Sequence, residues 1–242
     1  TLPDRLPQTQ EERLRAEVEQ ALQLVAEFRP HVIHTTTNYY NALVAQAVSA
    51  ATGLPWVLEV RGLMEKTWAA SLPSPGGKIA ATSSQKARLV ADREAELART
   101  ADAIVAISGT MVAELAQRGV DTQGVAVVPN GVDEALLTEH QSCHQARTAL
   151  GVGRDDAFIV GSVSAVVDYE GFDVLLRAAA LIIKDRGTPE LLRERLRVVI
   201  AGDGTAAPGL RALAAELGIA ERVLMPGRVP RHAARNWVQA LD

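Results

Sequence analysis

With one cysteine among 242 residues, no intrachain disulfide framework is available, and a single thiol fits a reducing compartment. Aromatic residues are scarce at 4%, so the core must be Ala, Val, Leu and Ile, the usual filling of sheets covered by helices. Basic residues are not in excess. Lys and Arg number 25 against 29 Asp and Glu, for a formal net charge of −4, which argues against a nucleic-acid binder. Long hydrophobic runs are missing too. The longest strongly apolar stretch, Ala157–Val167, has 11 residues and includes Gly161, Ser162 and Ser164, whereas a spanning helix needs about 20. The opening Thr-Leu-Pro-Asp-Arg shows no charged-then-apolar leader. These absences together predict a cytoplasmic protein with no membrane span. What is present is 48% hydrophobic residues and a length suited to one large domain or two small ones.

The spacing predicts an amphipathic helix over Thr9–Arg29, in which Leu14, Val18, Ala21, Leu22 and Val25 share a face before Pro30 ends it. Short β-branched or apolar runs predict strands at His31–Thr35, Trp56–Val60, Ala103–Ser108 and Val125–Val128. Helices are expected over 41–52, about 85–99 and 110–118. After Pro129-Asn130-Gly131-Val132-Asp133 a polar stretch runs to about Arg154, and the alternation then restarts. Strands are expected at Phe158–Val163, Leu196–Ala201 and Arg222–Met225, with helices at Phe172–Arg186 and Gly209–Leu217. Strands alternating with helices indicate parallel sheets of βαβ units, hence an α/β class. The expected organisation is an N-terminal Rossmann-like half over 1–133, a linker over 134–154 and a C-terminal half over 155–242. Both ends read as interruptions. The first half opens on a helix, and Asn236–Asp242 stops where another strand should follow, so both halves are expected to be incomplete in this chain. Missing pieces outside the chain, or a partner, would then complete the sheets, because an open strand edge invites association.

Turns that end a parallel strand and open a helix present unpaired backbone N–H groups and a helix dipole, both attractive to phosphate. Two such turns stand out, Gly161-Ser162-Val163-Ser164 with the following Asp168-Tyr169-Glu170-Gly171, and Gly202-Asp203-Gly204. Gly202-Asp203-Gly204 fits the dinucleotide fingerprint poorly, because the next glycine is Gly209. On spacing alone, a purely structural tight turn is as good a reading. The ordered set of motifs is far more specific. It runs from Ala-Asp-Ala-Ile-Val-Ala-Ile-Ser ending at Ser108, through Val-Val-Pro-Asn-Gly-Val-Asp at 127–133 and Val-Gly-Ser at 160–162. It continues with Tyr-Glu-Gly-Phe-Asp-Val-Leu-Leu-Arg-Ala at 169–178 and Val-Ile-Ala-Gly-Asp-Gly at 199–204. Leu-Gly-Ile-Ala-Glu-Arg-Val at 217–223 and Pro-Gly-Arg-Val-Pro at 226–230 close it.

In this order the set resembles the large retaining glycosyltransferase family 4, over about residues 30–242. The resemblance implies a GT-B fold, two Rossmann-like domains facing across a cleft. It also implies transfer of a sugar from a UDP- or GDP-sugar to a glycan, lipid-linked or small-molecule acceptor, with retention of configuration. By this resemblance the first half lies on the acceptor side and the second binds the nucleotide sugar. Ser162 and Ser164 would lie near the diphosphate, Gly202, Asp203 and Gly204 near the nucleotide, and Arg228 and Val229 against the base. Arg61 would stand near the transferred sugar, in the catalytic position where many members carry a histidine. Two departures are visible. Ser162 and Glu170 stand where many members place Arg and Lys, and the Tyr-Glu-Gly variant resembles a subgroup expected to bring its cation from elsewhere. The family's Glu-x7-Glu segment and its first glycine-rich loop would lie outside the chain, so the chain alone is expected to be inactive.

Neither a cofactor nor a metal is expected. His140, Cys143 and His144 have a ligand-like spacing, but a His-x3-His with one cysteine in a linker reads as solvated chance. His34 reads as a satisfied structural group or an acceptor ligand. Tyr39-Tyr40 reads as helix packing, and Glu11, Glu12, Glu17 and Glu19 as a solvated face. From Lys66 to Ala91 four cations, Lys66, Lys78, Lys86 and Arg88, occur with no acid, around Pro73-Ser74-Pro75-Gly76-Gly77. That stretch is expected to be a mobile loop. It suits an anionic acceptor or the anionic inner face of a membrane, and an ordinary flexible loop is the plainer reading. Two rivals to a transferase are a non-catalytic nucleotide-binding or assembly subunit and a GT-B-fold sugar-nucleotide epimerase. Epimerisation needs an acid–base cluster that this stretch does not offer.

Overall fold

A computed structural model describes residues 7–72, 75–134, 141–152 and 156–242. The chain divides into two compact units, Thr1–Gly131 and Val132–Asp242.

In the first unit four parallel strands, β1 (Ile33–Thr36), β2 (Trp56–Val60), β3 (Ala103–Ala106) and β4 (Ala126–Val127), lie in the order β1-β2-β3-β4. Parallel neighbours need helical crossovers. These are α2 (Tyr39–Thr52), then α3 (Met64–Ala70), α4 (Pro75–Thr82) and α5 (Gln85–Ala98), then α6 (Gly109–Gln117), preceded by α1 (Gln10–Phe28). Local chemistry sets the boundaries. Thr9 and Glu12 form a reciprocal capping box on α1, which stops at Arg29 with φ 47° before Pro30. Asn38 caps α2, and Gly53 ends it at φ 72°, a conformation that costs glycine little. Strand β2 alternates, sending Trp56, Leu58 and Val60 into the core and Val57 and Glu59 to the other face. The Trp56 indole N–H donates to the Thr100 carbonyl at 3.0 Å.

The segment expected as a mobile loop after Leu72 is helical where it is described, for α4 begins at Pro75. A proline in the first turn loses no hydrogen bond, so it opens a helix here and does not break one. Pro73 and Ser74 lie outside the described residues.

In the second unit β5 (Phe158–Val163), β6 (Leu196–Ala201) and β7 (Val223–Gly227) are parallel in the order β5-β6-β7. Its helices are α7 (Cys143–Leu150), α8 (Phe172–Lys184), α9 (Glu190–Arg195), α10 (Ala207–Glu216) and α11 (Arg231–Gln239). Central β6 is buried on both faces except at Arg197, as a helix-covered parallel strand should be.

The stretch expected as a linker, 134–154, carries α7, which packs on α11. A capping box between Ser142 and Gln145 opens it and Gly151 closes it at φ 62°. Ala146 is fully buried, and Arg147 donates to the carbonyls of Ala240 and Ala157, both at 2.9 Å, and to Asp242 Oδ2 at 2.5 Å. Polar composition misled here, because one buried arginine ties the helix to the unit. Among the described residues no helix is long and apolar enough to cross a membrane.

Candidate functional site

Ligands of open parallel sheets sit beyond the carboxyl ends of the strands. In the second unit the ends of β5 and β6 interlock there. The Ser164 N–H donates to the Ala201 carbonyl at 3.1 Å, the Val166 N–H to Asp203 at 3.1 Å, and the Ala206 N–H to Val166 at 3.1 Å. The approach is so close that a Cβ at Gly202 (φ 152°) would lie 1.8 Å from the Ser164 carbonyl oxygen. One at Gly204 would lie 2.2 Å from that of Val166. These glycines therefore answer to the neighbouring backbone, whatever else they do. Asp203 Oδ1 accepts the Gly204 N–H at 2.9 Å and tightens the turn.

Ser162 Oγ lies 3.4 Å from Ser164 Oγ, and both residues are half-buried. Beyond them a 3-10 turn, Asp168–Glu170, leads through Gly171 (φ 74°) into α8, whose N-terminus has no side-chain cap. Glu170 is exposed. Arg228, also exposed, follows β7, and Val229 beside it packs on the cluster of Ile159, Val199 and Trp237. The structure thus brings Ser162, Ser164, Gly202, Asp203 and Gly204 together and places Arg228 at the end of the adjoining strand.

In the first unit Arg61 follows β2. It donates from Nη1 to Glu59 Oε1 at 2.8 Å and from Nη2 to Asn130 Oδ1 at 2.7 Å. Its backbone N–H donates to Thr37 Oγ1 at 2.7 Å, and that hydroxyl donates to the Glu59 carbonyl at 3.2 Å. His34 is a residue of β1, and its Nε2 lies 3.3 Å from Glu59 Oε2. The Arg61 guanidinium, with His34 adding to it, holds the Glu59 carboxyl below the usual carboxylate range. Sequence reasoning picked out Arg61 and His34 but missed Glu59, Thr37 and Asn130. The signal for Glu59 was a charged residue inside an otherwise apolar strand, on the face opposite the core.

Among the described residues, contacts fix two of the cations between Lys66 and Ala91. Lys66 Nζ holds Glu114 Oε1 at 2.6 Å, and Lys86 Nζ stands 4.0 Å over the Trp68 ring. Lys78 is half-buried on α4, with no acid of its own helix beside it. Cys143 Sγ lies 3.4 Å from the Ala240 carbonyl and His144 follows on α7, while His140 lies outside the described residues. Among the described residues no three metal-ligating side chains gather.

Residues 2–131 match the family described as Glycosyl transferase 4-like domain, and residues 151–242 match Glycosyl transferases group 1. The chain is 35% identical over 160 residues to a D-inositol 3-phosphate glycosyltransferase of Thermomonospora curvata, covering 62% of this chain and 36% of that protein. The protein of the same name from Acidothermus cellulolyticus is 28% identical over 197 residues, covering 77% of this chain and 40% of that one. Among solved structures, Anabaena HepE in complex with UDP and glucose superposes with a TM-score of 0.70 at 21% identity, covering 98% of this chain and 57% of that one. Sucrose-phosphate synthase from Thermosynechococcus elongatus gives 0.70 at 18% identity, covering 98% and 55%. At such identities these two likenesses speak for the fold. The chain spans well under half the length of the curated relatives it matches.

Proposed function

The chain belongs to the glycosyl transferase 4-like family, and from that premise we propose that it serves transfer of a sugar from a nucleotide-sugar donor to an acceptor, with retention of configuration. The observation that carries the reading is the second unit's sheet edge. There the interlocked ends of β5 and β6 stand beside the Arg228 that follows β7, and the chain leads on to the uncapped N-terminus of α8. Backbone N–H groups and the helix dipole favour a diphosphate. They act most strongly as the departing diphosphate gains charge in the transition state. Ser162 is neutral and Glu170 exposed, so Arg228 is the cation we assign to the donor.

UDP accompanies the HepE structures, so a uridine nucleotide is the first donor to test, with a guanosine nucleotide beside it. The curated relatives carry the name of an inositol phosphate transferase, which supports a phosphorylated polyol as acceptor, with a glycan or glycolipid as the broader class. His34, Lys66 and Lys78 are the acceptor-side groups and Arg61 the catalytic one near the transferred sugar, held in place by Glu59, Thr37 and Asn130. The acid-free stretch from Lys66 to Ala91 supports a cytoplasmic enzyme that meets an anionic lipid face there.

Calorimetric titration of the chain with UDP and GDP tests the donor site. Arg228→Ala is expected to weaken binding by about 1–3 kcal/mol, the range for a lost charge-assisted hydrogen bond. Glu170→Lys is expected to leave binding unchanged or tighter. Undiminished binding by Arg228→Ala, or none by Glu170→Lys, would overturn the assignment.

A further inference from the structure

Helix α8 is apolar on two faces. Phe172, Leu176, Ala179 and Ala180 are buried in the core of the second unit, where α8 packs on β6 and α10. Successive helical residues turn by about 100°, so Val174, Ala178 and Leu181, at three-and-four spacing, point the opposite way. Val174 is 64% exposed and Leu181 71%, and Ala178 between them is exposed too. Leu191 of α9, which packs against α8, adds a fourth exposed apolar side chain, at 58%. Single exposed hydrophobic residues are ordinary, but an aligned stripe marks a surface for association. A helix that is apolar all round is normally covered all round.

The charges beside the stripe decide what covers it. From Phe172 to Leu191 the acids are Asp173, Asp185 and Glu190, and the bases Arg177, Lys184 and Arg186. A balanced set offers no net attraction to an anionic lipid face or to a strongly charged partner. Asp185 is used locally, where it accepts the Gly187 N–H at 2.9 Å and the Thr188 hydroxyl at 3.2 Å. Asp173 lies in the first turn of α8 and Lys184 in its last, and both are exposed. Among the described residues neither has an ion-pair partner. They are 11 residues apart, about three turns, so they share one flank of the stripe. Arg177 sits on the same flank, one turn from Asp173 of its own helix.

A second α8 laid antiparallel across the first meets each of these features with its complement. A two-fold axis then passes near Ala178, whose small side chain lets the helices approach. Val174 of one copy packs against Leu181 of the other, and Asp173 of each copy stands beside Lys184 of the other. The helix dipoles oppose as well. A charge order of acid first and base last is self-complementary only in the antiparallel sense, which is the sense a two-fold interface requires. We propose that the outward face of α8, extended by Leu191, is a docking surface for a second copy of this chain, joined through antiparallel α8 helices. Val174 to Leu181 spans only about 10 Å along the helix, so the dimer is weak and concentration-dependent.

Sedimentation equilibrium of the chain, from micromolar to submillimolar concentration, is the test. The parent is expected to pass from monomer to dimer. Leu181→Glu takes an apolar side chain out of the interface in both copies and should weaken association at least about tenfold. Asp173→Lys and Lys184→Asp each set like charges side by side, and each alone should associate about threefold or more weakly than the parent. Mixed in equal amounts, these two variants form a dimer in which both ion pairs are restored, and the parent's affinity should return. A folding defect in either variant would persist in the mixture, so recovery there reads the antiparallel pairing itself. A chain that stays monomeric throughout, a dimer that Leu181→Glu leaves unweakened, or a mixture no tighter than its components overturns the proposal. None of these readouts involves a nucleotide, so failure here is separate from failure of the donor-site reading.

Discussion

Replacing Gly202 by alanine separates a glycine needed by the fold from one kept open for a ligand. The added Cβ would lie 1.8 Å from the Ser164 carbonyl oxygen, and φ 152° is itself a backbone conformation that side chains rarely adopt. Ordinary contact needs well over an ångström more, so the 164–166 segment must move. It is pinned by the Ser164–Ala201 and Val166–Asp203 hydrogen bonds, both at 3.1 Å. Losing two such bonds costs about 1 kcal/mol each, and strain at an unsuitable φ adds about 1–3. We expect Gly202→Ala to lower the unfolding free energy of the second unit by about 3–5 kcal/mol, a large part of the 5–15 typical of a domain. Urea unfolding followed by Trp237 fluorescence reads this, since Trp237 belongs to the second unit's core. An unchanged midpoint, with nucleotide affinity alone reduced, would show that the glycine is kept for ligand approach and would refute the packing argument.

Arg147→Ala should destabilise the second unit by about 3–5 kcal/mol, because it removes a buried guanidinium bonded to two carbonyls and Asp242; a denaturation midpoint within error of the parent would count against it. Thr9→Ala breaks the capping box of α1 and should cost about 1 kcal/mol of the first unit's stability in urea unfolding, read at Trp56 in that unit's core. The first unit should lose stability as pH rises. The folded chain keeps the Glu94 proton that the unfolded chain releases around its ordinary value of 4.5, so the loss accrues as pH climbs from there through about 7. The shift corresponds to at most about 3 kcal/mol, and partial screening brings it to about 1–2. A stability profile flat across that window would refute the sign.

What could be read from the sequence was what local pattern determines. Phe158–Val163 and Leu196–Ala201 are rich in Val and Ile, and both strands form with those bounds. Trp56–Val60 alternates because its two faces have different neighbours, and it too forms as expected. Features decided by contacts across the fold were hidden. Ser142-x-x-Gln145 is a capping signal in plain view, yet α7 reads as linker until Arg147 is seen reaching Ala240, 93 residues on. Glu65, on α3, and Arg118, just past α6, stand 53 residues apart, and no spacing in the chain links them. Neither spacing nor composition distinguishes a glutamate that will be buried from one that will be solvated. The difference arises when α3, α5 and α6 pack and leave Arg118 between Glu65 and Glu94. The Arg61 network follows the same logic. Glu59 was visible as an acid in an apolar strand, but its role depended on parallel registers that set the end of β1 beside that of β2 and the end of β4 on the far side of β3. Residues that act alone at a strand end can be nominated from motif order, whereas those that orient them become visible only when the strands are paired.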